Sequence, residues 1–451
     1  MPLLRPDKFH VRETLSLAWP VVLTQVGHVL TSLVDIIFLG RLGKDELAAG
    51  VLSNTLYVLV LVFCIGMSYA VTPLVAEAKG EGKASRMAAL FKNAMLLNFV
   101  VAIGCFIILS LLSPLMQYMQ QPTEVVKKAI PFFEILIFSM IPVSFFFTGK
   151  QFCEGVSNTK IALLISISGN IINVILNYVL IWGKIGFPEM GYLGSAWASF
   201  ISRVFMGVVF MLVLLKSNRI PEIKALFKTA RVNKWDMSRL WKIGLNSALQ
   251  FTFEVAAFAI AGIMCGTFSK EHLDGHGIAL NLASFTYMFA SGISSAATIR
   301  AAVYYSAKDW KGLRTAGNTA IALALTIMGL FGLLFMIFRK ILPAFFTEDL
   351  AIIDIASDLL IIAALFQIFD GLQVTIIGLL RGIQDVKYPT YVTLIGYWLV
   401  ALPLAAILAY NFQLASIGVW IALLVSLIFV GLALFLRYNW LMRKFANFNP
   451  D

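Results

Sequence analysis

The sequence predicts an all-α membrane protein, with twelve transmembrane helices in two six-helix lobes related by a parallel internal repeat. Three observations carry that prediction. Hydrophobic residues make up 60% of the 451 and charged residues only 13%, whereas soluble domains sit at roughly 45–50% and 25%. Long runs without a charge recur from one end of the chain to the other. The second half also repeats the glycine and polar landmarks of the first.

The uncharged runs come first. Leu15–Val34, Ala320–Phe338 and Ile417–Leu436 contain no Asp, Glu, Lys or Arg. About 20 apolar residues cross a bilayer core as a helix, the form that pairs every backbone group within its own segment. None of these runs alternates as barrel strands do. The same reading places span starts near residues 15, 50, 93, 130, 161 and 191, then near 243, 277, 315, 355, 388 and 414. With a mean hydropathy of +0.86, the chain holds more apolar surface than a water-soluble core can hide.

The net charge of +11 is explained by position. With both termini cytoplasmic, 26 of the 35 Lys and Arg fall in cytoplasmic segments and 8 in outer loops, and Arg203 lies inside a span. This positive-inside asymmetry fits an even number of spans and accounts for the basic balance without nucleic acid. Met1–Thr14 is polar, and the run after it is long enough to span and contains Pro20 and Gln25, so a cleavable signal peptide is not expected. Cys64, Cys105, Cys153 and Cys265 lie in or at the ends of spans, form no C-x-x-C pair and read as small apolar residues.

The repeat has an offset of about half the chain. Glu154–Lys160 (E-G-V-S-N-T-K) matches Arg381–Lys387 (R-G-I-Q-D-V-K), and the pairs Gly155/Gly382, Lys160/Lys387 and Gly169/Gly396 are each 227 apart. Gly66/Gly292 and Thr72/Thr298 are 226 apart, and Gln25/Gln250 are 225 apart. Six spans per half put both halves into the membrane from the same side, so the pseudo-twofold runs along the membrane normal. The expected domains are residues 1–215 and 243–451. Between them a cytoplasmic connector, residues 216–242, carries eight basic residues with Pro221, Trp235 and Trp241 and would rest on lipid headgroups. Two similar lobes around a cleft suit alternating access.

Three acids interrupt the apolar spans: Asp35, Glu254 and Asp370. A charge at mid-membrane costs about 2.5–3.5 kcal/mol on insertion scales, and such residues mark ion or substrate pathways. The glycines recur in both halves, but the acids do not: Asp35 falls opposite Ile260–Gly262, Glu254 opposite Gly27–Val29 and Asp370 opposite Val143–Phe145. A shared structural role would recur, whereas an asymmetric binding site need not. Desolvation favours the protonated acid and a bound cation favours the ionised one. Such a group can exchange a proton for a metal ion or an organic cation, which is the chemistry of an antiporter.

Polar neighbours extend the pattern. Asn173 and Asn177 share one face of the fifth span, Gln250 stands one turn before Glu254, and Gln367 and Gln373 flank Asp370. Their amide oxygens can complete a Na⁺ shell beside a carboxylate or join helices by hydrogen bonds. His28 and His276 read as packed or interfacial rather than as proton carriers. His10 and His272 are tail and loop residues, and Glu134 and Asp358 stand near span ends. Lys184 and Glu189 belong to the glycine-rich turn G-K-I-G-F-P-E-M-G, where shape is expected before chemistry. Some of the 36 Phe, 9 Trp and 13 Tyr should line the cleft and hold flat cations.

In this order and spacing the motifs resemble those of the multidrug and toxic compound extrusion (MATE) family, most closely its NorM-type bacterial branch. The carrying segments run the length of the chain. They are A-W-P-V-V-L-T-Q through S-L-V-D-I-I-F-L-G around Asp35, G-N-I-I-N-V-I-L-N-Y with Asn173 and Asn177, and G-F-P-E-M-G-Y-L-G-S-A. In the second half they are G-L-N-S-A-L-Q-F-T-F-E ending at Glu254, H-G-I-A-L-N from His276 to Asn281, and F-Q-I-F-D-G-L-Q-V around Asp370 followed by L-R-G-I-Q-D. The resemblance implies a two-lobe exporter of the cytoplasmic membrane that moves small cationic drugs or toxins outward as Na⁺ or H⁺ enters. It implies that Glu254 and Asp370 form the cation and substrate site of the second lobe, with Na⁺ as a candidate ligand. It makes Asp35 the acidic centre of the first, with Asn173, Asn177 and Ser199 as its polar cluster. Phe366 and Gly277 depart from the branch pattern, which has tyrosine and glutamine there.

The expected mechanism is a rocker switch between inward and outward opening, biased by carboxylate occupancy. No G-x-x-x-x-G-K-[ST] motif is present, no cofactor is expected, and the protein is expected to act as a monomer among lipids. A flippase for lipids or lipid-linked sugars is the alternative transporter, and such proteins place basic residues in the cavity. An intramembrane enzyme would need a reactive cluster such as H-E-x-x-H, which the sequence lacks.

Overall fold

The computed structural model describes residues 7–119, 121–216 and 226–447. It is all-α, with no strand among the described residues. Ten helices are long and apolar enough to cross a membrane, and a pair bent by 44°, Thr123–Phe138 with Met140–Gly155, makes an eleventh. In chain order the first three spans are Lys8–Leu42, Lys44–Gly80 and Ala84–Tyr118, and the bent pair is the fourth. The fifth and sixth are Thr159–Trp182 and Tyr192–Leu214, and the seventh is Lys234–Gly266. The ninth to twelfth are Trp310–Ile337, Leu350–Gly382, Lys387–Asn411 and Ala415–Ala446.

The eighth position is filled by a 37-residue helix, Lys270–Ser306. It is long enough to span but rich in small and hydroxylated residues, and Ala290, Ser291, Gly292, Ser294, Ala296, Ala297 and Thr298 along it are buried. Lipid tails are as apolar as leucine, so membrane helices associate by close backbone approach and hydrogen bonds rather than by hydrophobicity. A helix built for that purpose reads as less apolar than its neighbours. Outward-facing leucines and isoleucines on the other spans, among them Ile107, Leu111, Leu333 and Leu399, remain exposed on the chain, as lipid contact requires.

The chain divides into two compact units, Leu23–Ala248 and Met1–Val22 with Leu249–Asp451. This division departs from the boundaries expected at 215 and 243. Both the first and the seventh helix pass from one unit to the other along their length, so each unit includes the beginning of the other half's first helix. The recurrent glycines mark where these beginnings pack. A Cβ at Gly66 would lie 2.4 Å from Ala248 Cα, and one at Gly292 would lie 3.0 Å from Ala18 O and 3.3 Å from Val22 N. Val22 and Ala248 are themselves 226 positions apart, so this packing is duplicated.

A second duplicated contact lies deeper in each unit. Thr72 Oγ1 donates to Gln151 O at 2.9 Å, and Thr298 Oγ1 donates to Gly378 O at 2.9 Å. Beside them, a Cβ at Gly155 would lie 3.0 Å from Thr72 O, and one at Gly382 would lie 2.7 Å from Thr298 O. These contacts give the repeated Thr and Gly a shared structural role.

Part of the expected connector is helix. Residues 217–225, Pro221 among them, lie outside the described residues, but the seventh span already begins at Lys234. Asn233 Oδ1 accepts the Trp235 amide at 2.9 Å, and Arg239 reaches both oxygens of Glu77, at 3.2 and 2.5 Å. The helix therefore extends past the apolar run into a charged collar, where Arg86 pairs with Glu77 at 3.2 Å and Glu81 at 2.9 Å. In the other unit, Arg300 donates to Thr14 Oγ1 at 2.6 Å and His10 O at 2.8 Å. The turn after the fifth span behaves as its composition suggests. Gly183, Gly186 and Gly191 all adopt positive φ, and Lys184 and Glu189 are exposed.

Candidate functional site

In the Leu23–Ala248 unit the first, fifth and sixth spans converge on Asp35. Asn173 and Asn177, one turn apart, present their amides on one face of the fifth helix. Asn177 Nδ2 donates to Asp35 Oδ1 at 2.8 Å, and Ser199 Oγ donates to Asp35 Oδ2 at 3.1 Å. Asn173 supports both donors: its O and Oδ1 accept from Asn177 at 3.0 and 3.2 Å, and its Nδ2 reaches Ser199 Oγ at 3.3 Å. Both asparagines and the serine are buried. Asn177 Oδ1 is buried and has no hydrogen-bond partner among the described residues. Hard cations take oxygen ligands, and this oxygen stands ready beside the carboxylate. Arg203, also within a span, donates to Ser139 Oγ at 2.7 Å and lies over the Tyr57 ring.

The unit that contains the second half has its own acidic centre. Glu254 Oε1 accepts from Gln373 Nε2 at 3.1 Å and from the Tyr397 hydroxyl at 3.0 Å, while the same Gln373 nitrogen lies 3.1 Å from that hydroxyl. Three spans, the seventh, tenth and eleventh, thus meet at one carboxylate oxygen. Trp398 Nε1 donates to Phe253 O at 3.1 Å and ties the eleventh span to the seventh beside it. Asp370 is 5% exposed, hydrogen-bonds to none of the described residues, and lies close enough to Glu254 to sense its charge.

Tyr397 was not legible as a site residue, because one tyrosine in an apolar run carries no polar pattern. Its backbone is distinctive: Ile395–Ala401 winds as π-helix, a local form that recurs at functional sites. The ring is fully buried and packs against Phe258 at 5.8 Å, which also meets Phe366 at 6.0 Å. Phe366 is therefore part of the packing around the tyrosine that holds Glu254.

Other sequence candidates lie elsewhere. Gln367 Oε1 accepts from Thr286 at 2.7 Å and so braces the eighth span. Gln250 is buried, but among the described residues no hydrogen bond joins it to Glu254. Asn281 stands on an exposed face and is likewise outside the Glu254 hydrogen bonds. Gly277 has open space where a side chain would start. His276 is buried and accepts from Trp420 Nε1 at 3.1 Å, and His28 packs edge-on to Phe146. Asp358 is exposed and pairs with Arg339 at 3.6 Å. The 26 basic residues assigned to cytoplasmic segments from the sequence include Lys150, leaving Arg203 as the one basic residue within a span. The structure corrects this: Lys150 is 3% exposed inside the fourth span. It was misplaced because it stands within two turns of the helix end at Gly155.

Comparison with known proteins settles the family. The family model MatE matches twice, over residues 20–179 and over residues 247–407. The chain belongs to the MatE family. The two matches begin 227 positions apart, the offset of the internal repeat. A protein described as probable multidrug resistance protein NorM from Mesorhizobium japonicum is 31% identical over 96% of this chain and 94% of its own length. Multidrug resistance protein MdtK from Yersinia pseudotuberculosis is 28% identical over 96% of both. The fold of the MatE chain is shared with solved structures. The eukaryotic MATE transporter AtDTX14 superposes with a TM-score of 0.88 at 20% identity, over 97% of this chain and 98% of that one. A MATE crystal structure in the straight conformation gives 0.89 at 18%, over 97% of each. Sequence, structure and comparison jointly describe an all-α membrane protein of the MatE family.

Proposed function

We propose that this MatE chain is an antiporter of the cytoplasmic membrane, with both termini inside, that exports small amphipathic cations as Na⁺ or H⁺ enters. The observation that carries this reading is the pair of half-buried, separately organised carboxylates. Asp35 is held by Asn177 and Ser199, and Glu254 by Gln373 and Tyr397 with Asp370 nearby. Intramembrane acids gathered with amide and hydroxyl partners suit exchange between a proton or metal ion and an organic cation. The names of the relatives support a drug or toxin as the exported species.

In this mechanism the inward-moving ion and the outward-moving cation compete for the carboxylates. Occupancy then biases alternating access, with no nucleotide needed. One charge crossing the membrane is worth about 2.3 kcal/mol per 100 mV, enough for more than tenfold accumulation. The acidic character of both centres favours cationic cargo over the phosphate-bearing lipids of a flippase. The monomer suffices, since each centre is completed within one chain.

The test is ethidium transport by purified protein in liposomes, under an inward Na⁺ gradient at clamped pH and then under a pH gradient without Na⁺. Movement under one gradient establishes antiport and names the ion. Movement under neither, by folded protein, contradicts the proposal.

A further inference from the structure

The sixth span carries an arginine that the antiport mechanism does not use. Arg203 stands one turn after Ser199 on the same helix face, and Ser199 donates to Asp35 Oδ2 at 3.1 Å. The guanidinium of Arg203 is anchored. Its Nη1 donates to Ser139 Oγ at 2.7 Å, and the group lies 4.6 Å from the centre of the Tyr57 ring. The Tyr57 hydroxyl is 2.9 Å from the same serine oxygen, which passes its own proton to Leu136 O at 2.6 Å. Tyr57 and Ser139 are fully buried, and Ser139 is the residue at the bend of the fourth span. Among the described residues no Asp or Glu comes within ion-pair distance of Arg203. It is nevertheless close enough for its charge to be felt at Asp35.

The repeat shows that the shared scaffold does not need this charge. The sixth and twelfth spans match at an offset of 224, through Gly194/Gly418, Ser202/Ser426 and Gly207/Gly431, which sets Arg203 opposite Leu427. At the offsets of their own helices, 226 and 227, Tyr57 stands opposite Ala283 and Ser139 opposite Phe366. Ala283, Phe366 and Leu427 are all buried. The second half thus fills with apolar packing the three positions that the first half gives to Tyr57, Ser139 and Arg203. The acids are distributed in the opposite sense. The second half gathers Glu254 and Asp370, and no Lys or Arg pairs with either among the described residues. The first half has Asp35 alone, with a fixed cation beside it.

We propose that Arg203 sets the cation affinity of the Asp35 centre. Its guanidinium, anchored on Ser139 and Tyr57, repels any cation that docks at Asp35 and offsets part of the attraction of the carboxylate. Asp35 therefore holds Na⁺ or an organic cation more loosely than it would without the arginine, and releases it faster. Arg203 acts through the field at Asp35 and does not touch the cation. The inference rests on the antiport reading only in taking Asp35 as a cation site. Two other basic side chains, His28 on the first span and Lys150 on the fourth, share this neighbourhood and are left in place by the test.

The experiment measures equilibrium binding of ethidium, by its fluorescence, and of Na⁺, by thermal stabilisation relative to choline. Both are measured on purified protein at one alkaline pH and one ionic strength. The parent is the full chain with Glu254→Gln and Asp370→Asn, which leaves Asp35 alone of the three acids. Arg203→Gln, which keeps a donor for Ser139 but no charge, should bind at least one of the two cations about tenfold more tightly than the parent. Arg203→Lys, which keeps the charge, should stay within about threefold of the parent, and adding Asp35→Asn should abolish the gain. Saturable binding that emerges only in Arg203→Gln supports the proposal equally. A mere brace of the bent fourth span predicts the reverse: lower stability and equal or weaker binding. Should Arg203→Gln not fold, the triple variant Tyr57→Ala/Ser139→Phe/Arg203→Leu, which installs the apolar set of the second half, carries the same expectation. A chain that folds with neither replacement overturns the proposal. Unchanged or weaker binding in Arg203→Gln overturns the proposal and leaves the antiport reading of Asp35 standing. No saturable binding by parent or variant overturns both.

Discussion

Asn177 donates its side-chain amide to Asp35 at 2.8 Å while its own side-chain carbonyl oxygen, buried in the same cluster, accepts from none of the described residues. One residue therefore both steadies the carboxylate and offers a further oxygen ligand. Replacing Asn177 with Ala removes both. A hydrogen bond to a charged group contributes about 1.5–3 kcal/mol, so the apparent affinity for the coupling cation should fall by roughly 10- to 100-fold. Maximal efflux at saturating cation should be largely kept, and the cation dependence of transport measures it.

Tyr397 supplies one of two donors to Glu254 Oε1. Tyr397→Phe keeps the ring that packs on Phe258 and removes the hydroxyl alone. We expect thermal stability close to wild type and a cation half-saturation raised by roughly 10-fold or more. An unchanged half-saturation would mean that Gln373 suffices.

The duplicated glycine contacts predict paired stability losses. Ala at Gly155 or at Gly382 forces a Cβ within 3.0 or 2.7 Å of a threonine carbonyl, an overpacking that typically costs about 1–3 kcal/mol. Gly104 and Gly329 have open space beyond the backbone, and Ala there should be neutral or stabilising by up to about 1 kcal/mol. Melting temperatures of the four variants separate these cases.

Much of this architecture was legible in the sequence, and the exceptions have physical causes. Asp35 stood out because an acid in an apolar span is rare, and Asn173 and Asn177 because their spacing is one helical turn. Tyr397 escaped because aromatic residues are common in such spans, and only the three-helix junction makes its hydroxyl a partner of Glu254. Lys150 was hidden by its nearness to a helix end, which leaves open whether a lysine reaches out or folds inward. The repeat revealed six helices per half but not that the beginnings of the first and seventh helices pack into the opposite unit. Periodicity records spacing along the chain, whereas the Gly66–Ala248 and Gly292–Val22 approaches are settled by packing.

The ionic collar gives a further prediction. Glu77 receives Arg239 and lies 3.2 Å from Arg86, so Glu77→Gln leaves two partly buried guanidinium groups short of one counter-charge. The variant should melt several degrees below wild type, and added salt should narrow the gap by screening the two cations. A salt-independent loss would assign the effect to packing.

Ion coupling, as proposed, rests most on the three intramembrane acids. In proteoliposomes, under whichever gradient drives wild-type ethidium transport, Asp35→Asn, Glu254→Gln and Asp370→Asn are each expected to lower the rate by about tenfold or more. Each variant should elute and melt as folded protein. Wild-type rates from all three would contradict the assignment of coupling to these carboxylates.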